Sequence, residues 1–417
     1  MLSGVVVLDL SRVLAGPYCT QLLADLGARV IKVEAPGGDE TRSWGPPFAG
    51  DESGYFLSIN RGKQSVVVDL KNEQGSRIVQ RLAQRADVLV ENFKVGDLER
   101  YGLGADTVLA SNPSLIYASI TSYGSIGPRA REPGYDAALQ AITGLVAMTG
   151  EEGGGPVKLG VAWIDVLTGL HAAVSILAAL HERQRTGLGR HLELSLFEVG
   201  LASMVNQAQG ALLTGAAPRR LGSAHPSIVP YQAFETADER LMLAVGNDSQ
   251  FARTAEVLGV REWTADPRFA TNRARVQHRE VLVAMIQERL RRQPRDAWLQ
   301  RMSDAGVSAT PVYDLPEALR DAQAEALGTI GRYLHPTAGE VPFVRSPLRH
   351  RGDEGGPGSV TGDGADGEAT GPLPPPRLGE HTAAVLADVL AIAEGEIETL
   401  ARAGAVRLGD RIGDATD

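Results

Sequence analysis

The chain has 417 residues, 43% hydrophobic and 22% charged, with a formal net charge of −10 at pH 7. That acidity argues against nucleic acid or an anionic membrane as the main partner, although a local basic patch can still hold an anionic ligand. A single cysteine, Cys19, excludes an intramolecular disulfide and suits a reducing cytoplasm.

From the N-terminus, MLSGVVVLDLSRV lacks the basic segment and apolar core of a signal peptide, which predicts a cytoplasmic protein. GVVVLDL (4–10) predicts a buried strand, then a helix from Pro17 to Leu26 that Gly27 ends, then the strand ARVIKVE (28–34). Proline suits the first helical position, where its missing N–H would have no partner. QSVVVDL (64–70), DVLVENF (87–93) and SLIYASITSYG (114–124) are further strands, with a helix over Glu73 to Arg85. Apolar strands separated by amphipathic helices predict an α/β fold with a parallel sheet covered on both faces. Ligands on such sheets gather where strands end, here around Glu34, Asn92–Phe93 and Ser122–Gly124. LSRVLAGP follows the first strand instead of G-x-G-x-x-G, which argues against a nicotinamide or flavin dinucleotide.

The stretch LGVAWIDVLTGLHAAVSILAAL (159–180) holds one formal charge, Asp165. A carboxylate in apolar surroundings is costly unless hydrogen bonds or a task justify it. Asp165 is read either as the N-cap of the following helix or as a functional group, and both are compatible. A membrane span fits the length but not Asp165, Thr168, Gly169 and His171 near one end. Val166, Leu170, Ala173, Val174, Leu177 and Leu180 recur at helical spacing and predict a helix over 165–187.

Beyond it, HLELSLFE alternates as a strand, and TGAAPRRLGSAHP (214–226) is a Gly-, Ala- and Pro-rich connector. YQAFETADERLMLAVGN predicts a β-hairpin turning near Asp238–Glu239, followed by helices at 249–258, 279–292 and 295–305 and a strand, ATPVYDL (309–315). Residues 351–376 carry eight glycines and five acids with little to bury, which predicts a disordered insert. RLGEHTAAVLADVLAIAEGEIETLARAGAV then gives two short helices. The resulting division is a large domain over 1–199, a linker at 200–228 and a small α+β domain over 229–325. A return linker at 326–350, the insert at 351–376 and helices in 377–417 that complete the large domain follow.

TGEEGGGPVKLG (149–160) lacks the spacing and G-K-[ST] ending of a phosphate loop and reads as a surface loop. No Cys, His and carboxylate set has metal-ligand spacing, so no metal is expected. G-x-S-x-G is absent, leaving a serine hydrolase without support. Taken singly, LAGPYCTQLLADLGARVIKVE, ENFKVGDLERYGLG and GYDAALQAITGLVAMTG are weak features. Arg100 alone reads as a solvated helix charge and Tyr135–Asp136 as a turn.

Together they carry a resemblance. LDLSRVLAGPYCTQLLADLGARVIKVEAPGGDETRSWGPPF, INRGKQSVVVDLK, ADVLVENF, ITSYGSIGP, GYDAALQAITGLVAMTG, VKLGVAWIDVLTG, RQRTGLGRHLELSLFE, AHPSIVPYQAFET, AVGNDSQF and RLGEHT resemble, in order, segments of the class III CoA-transferases, the CaiB/BaiF family. The RSWGPPF and AHPSIVPYQAF segments are similar to the branch that moves CoA between dicarboxylic acids, with succinyl-CoA a frequent donor.

The resemblance implies an open-ring chain with a Rossmann-like large domain and a smaller domain, two rings interlocking as a homodimer. It implies that Asp165 is a nucleophile that takes an acyl group and then CoA, and that Tyr135 and Asp136 line the thioester pocket. Leu14, Ala15, Val68, Lys71, Asn92, Phe93 and Arg100 fall where the family contacts CoA. The implied ligands are an acyl-CoA and a carboxylic acid acceptor, with no permanently bound cofactor. Ala35–Pro36 replaces a basic residue that often follows the K-V-E strand end. GNDSQF (246–251) stands where oxalate-handling members carry a glycine-rich loop, so oxalate and formyl specificity is not expected.

Two alternatives remain within this reading. An α-methylacyl-CoA racemase shuttles a proton with a His and an Asp; such racemases carry the His at the position of Tyr135, and a phenol is a poor base near neutral pH. A non-catalytic acyl-CoA binding protein would leave Asp165 without a purpose.

Overall fold

Short apolar runs alternating with helices build the larger of two units, which comprises residues 1–143, 159–209 and the chain from 326 onward. The computed structural model describes residues 1–348 and 373–409. In chain order the first unit contains β1 (Val6–Asp9), α1 (Ala15–Asp25), β2 (Arg29–Glu34), α2 (Gly54–Ile59), β3 (Lys63–Val68), α3 (Glu73–Ala83), β4 (Val88–Glu91) and β5 (Ile116–Thr121). Then come α4 (Asp136–Ile142), α5 (Trp163–Thr186), β6 (Arg190–Ser195), α6 (Leu196–Ala202) and α7 (Val205–Thr214), the last running on into the second unit.

The strands form one sheet with β2 and β4 on either side of β1, all parallel. β3 lies outside β2, and β5 then β6 lie outside β4. Successive residues of β1, Val7 and Leu8, point to opposite faces, and both are fully buried. Such strands read as continuous apolar runs because helices cover both sides. Val7, Val30, Val88, Val90, Ile116 and Ala118 pack under α1 and α5. Leu8, Ile31, Val66 and Leu89 pack on the other face, with α3 and the helices near the end of the chain.

In the second unit, residues 144–158 and 210–325, the hairpin β7 (Tyr231–Glu235) and β8 (Arg240–Ala244) turns at Asp238–Glu239. Helices α8 (Asp248–Val257), α9 (Arg279–Leu290) and α10 (Arg295–Asp304) follow, and β9 (Ser308–Pro311) pairs antiparallel with β8. Phe234, Leu241, Phe251, Phe269, Ile286 and Met302 fill its core. The glycine-rich stretch at 149–160 borders a cavity of about 420 Å³ lined by Thr149, Gly150, Glu151, Gly154, Gly155, Val157 and Gly222.

The chain returns to the first unit through β10 (Ile330–His335) and β11 (Gly339–Val344), then α11 (Thr382–Leu390), α12 (Glu394–Arg402) and β12 (Val406–Arg407). β12 pairs antiparallel with β3 at the edge of the seven-stranded sheet.

Three expectations change. Residues 200–228 are not all linker, because α6 ends and α7 lies within them. The strand read in HLELSLFE stops at Ser195, whose hydroxyl accepts from the Glu198 N–H at 3.2 Å and caps α6. The return linker at 326–350 contains the β10–β11 hairpin, which buries Tyr333, His335 and Val341. The predicted insert, 351–376, lies outside the described residues except for 373–376. There Pro375 and Pro376 are buried, their carbonyls accepting from His335 Nε2 at 3.1 Å and Arg42 at 3.1 Å. By length and composition α5 could cross a membrane, yet it packs on α1 and the sheet as a core helix.

Candidate active site

The first backbone N–H groups of a helix have no partner within it. At α5 the N-cap is Ala162, whose side chain can offer nothing. Asp136, the first residue of α4, supplies the acceptor: its Oδ1 takes the N–H of Ile164 at 2.8 Å and that of Asp165 at 3.2 Å. Gln140, one turn further along α4, donates Nε2 to Asp136 Oδ2 at 2.5 Å and accepts the Leu159 N–H at 2.9 Å. One helix thus caps the next. Of the two readings of Asp165, the N-cap is corrected, because Asp165 lies inside the first turn and the cap comes from Asp136.

This leaves the Asp165 carboxyl free. It is 9% exposed, and among the described residues its oxygens take no hydrogen bond. Burial, and secondarily the Asp136 carboxylate, push its pKa up to about 7. A group displaced by desolvation and a like charge is the kind that serves chemistry. Below it, α1 and α5 approach at Gly169: a Cβ there would come within 2.7 Å of the Ala15 carbonyl oxygen and 3.1 Å of the Tyr18 ring. The contact sets the start of α1 one turn from Asp165.

Tyr55, on α2, has no assigned role in the sequence reading. Its phenol is pushed up to about 12, first by burial and then by the charges of Asp165 and Asp136, so it stays protonated at neutral pH. Trp44 meets its ring edge-on, with centroids 5.2 Å apart. Both aromatics occur in SWGPPFAGDESGYF, but nothing in that spacing points to Asp165, more than a hundred residues away.

Tyr135 precedes α4 and is 62% exposed, unlike its neighbour Asp136. Leu14 is the N-cap of α1 and Ala15 its first residue, both buried. Asn92 and Phe93 follow β4; the Asn92 amide is engaged by the backbone of Arg12, and the Phe93 N–H donates to Glu91 at 2.8 Å. The β1 and β4 ends therefore meet. Val68 ends β3 with its side chain in the core, so only its backbone can face a ligand, whereas Lys71 is exposed. Arg100 is exposed, 3.9 Å from Asp97 and over the ring of Tyr101. Among the described residues no group of three or more His, Cys, Asp and Glu could hold a metal ion.

A family model described as CoA-transferase family III matches residues 2–382, so the chain belongs to the family III CoA-transferases. It is an enzyme of the CoA-transferase type. It is 41% identical over 406 residues to the succinyl-CoA:glutarate CoA-transferase of Mus musculus, covering 97% of this chain and 90% of that one. To the succinate–glutarate CoA-transferase of Agrobacterium fabrum it is 42% identical over 400 residues, 93% and 95% of the two chains. A crystal structure of a CaiB/BaiF family protein from Brucella suis matches with a TM-score of 0.77 and 40% identity, covering 93% of this chain and 99% of that one.

Proposed function

We propose that this enzyme moves coenzyme A from succinyl-CoA to a second dicarboxylic acid through covalent intermediates on Asp165. The observation that carries the reading is a buried carboxyl with no hydrogen-bond partner among the described residues, beside a second carboxyl already engaged in capping. The names of the two relatives support succinyl-CoA as donor and glutarate as the acceptor to test first.

The steps follow from the carboxylate. An Asp165 oxygen attacks the thioester carbon, the C–S bond breaks, and CoA leaves as thiolate from a mixed anhydride. The thiolate attacks the aspartyl carbonyl, forming an aspartyl-CoA thioester and releasing the donor as its free carboxylate. The acceptor carboxylate attacks that thioester, and the thiolate released attacks the acceptor's acyl carbon, restoring Asp165. One exchange between two stable species is thereby divided into nucleophilic steps. No proton is consumed. Each intermediate can hydrolyse, so the burial of Asp165, 9% exposed, is a chemical requirement. Leu14, Ala15, the Val68 backbone, Lys71, Phe93 and Arg100 are the candidates to hold CoA along the carboxyl ends of the strands. Lys71 and Arg100 suit its phosphates.

Incubation with succinyl-CoA and a panel of free acids, read by mass, is expected to give glutaryl-CoA and free succinate in equal amounts. Loss of label from the α-carbon of a branched acyl-CoA without any exchange of acid would instead support a racemase. The same reading includes an interlocked homodimer. Trp163, Leu170 and Val174 leave an apolar stripe of α5 exposed, which a second copy would cover. Light scattering at nanomolar concentration is expected to give the dimer mass; a monomer there would remove this part of the proposal.

A further inference from the structure

Between β1 and α1 the chain makes a turn whose backbone no local rule favours. Val13 has φ +69, a left-handed conformation that a β-branched residue adopts only when its surroundings impose it. Those surroundings are unusually complete. Ser11 N–H donates to Asp9 Oδ1 at 2.9 Å, and Ser11 C=O accepts from Lys32 Nζ at 2.9 Å. Arg12 N–H donates to Asn92 Oδ1 at 3.0 Å, while Asn92 Nδ2 donates to Arg12 C=O at 2.7 Å. Val13 N–H is directed at Asp39 Oδ1, 3.4 Å away, and Asp39 Oδ2 is in turn held by Lys32 Nζ at 2.9 Å. Three consecutive residues are each gripped by side chains from elsewhere in the chain: Lys32 within β2, Asn92 just after β4 and Asp39 in the loop beyond β2. The next two, Leu14 and Ala15, begin α1, and the Ala15 carbonyl rests on Gly169 of the nucleophile's helix.

We infer that Asn92 and Asp39 are positioning residues that hold the Val13 turn, and with it the start of α1, in register with Asp165. Asn92 acts on the turn through its two bonds to Arg12. The inference rests on the CoA-transfer reading above, and its test separates the two.

Asn92→Ala removes both bonds to Arg12 from a side chain near the surface. Val13 is then free to leave the left-handed region, and kcat for transfer is expected to fall about 10- to 100-fold, since small misplacements in a site cost that much. Adding Val13→Gly, which removes the steric penalty at positive φ, is expected to bring kcat back to within about threefold of wild type. Glycine cannot replace a lost contact to CoA, so rescue identifies the turn as the cause. Asp39→Ser also strands the buried Lys32 ammonium, so it is expected to lose stability to urea that Val13→Gly does not restore. Amide exchange over residues 14–18, measured without substrate, should speed up in Asn92→Ala and slow again when Val13→Gly is added. An Asn92→Ala enzyme with wild-type kcat, or a loss that Val13→Gly does not repair, would overturn the inference. If the wild-type chain transferred no CoA, the functional reading would fail, and amide exchange alone would decide for or against the brace.

Discussion

Asp165→Asn is expected to fold, to bind acyl-CoA and to lose CoA transfer by at least about a thousandfold, the scale seen when a catalytic nucleophile is removed. The change is nearly isosteric, and the capping of α5 survives because it belongs to Asp136. Stability should move the other way. Folding raises the Asp165 carboxyl from 3.8 to about 7, through burial first and Asp136 second. Between those values the folded chain binds a proton that the unfolded chain releases, so wild-type stability falls as pH rises across that window. Above pH 7 the penalty is complete, on the order of 4 kcal/mol at 1.36 kcal/mol per unit. Asparagine has no such penalty. The variant should therefore melt above wild type at pH 8, with the advantage fading toward pH 4. In wild type, kcat/KM should rise with pH through an inflection near 7 as the nucleophile ionises. Near-normal transfer by Asp165→Asn, with mass spectrometry excluding deamidation to Asp, would end the covalent mechanism.

Lys63→Met is expected to destabilise the fold by about 3–5 kcal/mol, the cost of leaving a buried charge unpaired. Lys63 is fully buried, and its ammonium donates to Asp9 at 3.1 Å, Pro17 C=O at 2.8 Å and Asn60 at 3.0 Å. Asp9 is equally buried. Burial alone would raise its carboxyl, but Lys63 and Lys32 hold it below the usual range. Without Lys63 it keeps the hydroxyls of Ser11 and Thr20 but loses its nearest positive charge. Adding Asp9→Asn should recover part of the loss by removing the stranded charge. Urea unfolding measures both. A Lys63→Met chain within about 1 kcal/mol of wild type would mean that water or a side-chain shift compensates the site.

The parallel sheet was legible because its central strands β1 and β4 are apolar on both faces, leaving short unbroken runs of Val and Leu. Asp165 stood out for the same reason, as the lone charge in a run that had to be buried. Its cap did not. Asp136 and α5 are joined by side-chain-to-backbone bonds between residues 28 and 29 apart, which leave no periodic trace. Tyr55 was hidden likewise, because proximity to Asp165 arises only when α2 folds back beside the sheet. Two misreadings had signals that were present but outweighed. S-L-F-E is a helix start, with Ser195 and Glu198 exchanging bonds, but the alternating leucines before it favoured a longer strand. In IGRYLHPTAGEVPFV, the period of two carried by Tyr333 and His335 was lost among turn residues that suggested a linker. Asn92 stands just after β4, where the resemblance implies a site residue, and its two bonds to Arg12, 80 residues away, leave no trace in the sequence.

The pairing of β12 with β3 has a consequence for synthesis. The core face formed by Leu8, Ile31, Val66 and Leu89 is completed by Val385, Leu386, Ile397, Leu400 and Val406, which are translated after the whole second unit. At roughly 5–20 residues per second, a ribosome takes roughly 15–60 s to travel from β5 to β12. The second unit, whose sheet and helices come from one nearly continuous stretch, can fold during that interval. The nascent first unit meanwhile has most of its strands and an open apolar flank, which makes it the part of this chain in greatest need of a chaperone.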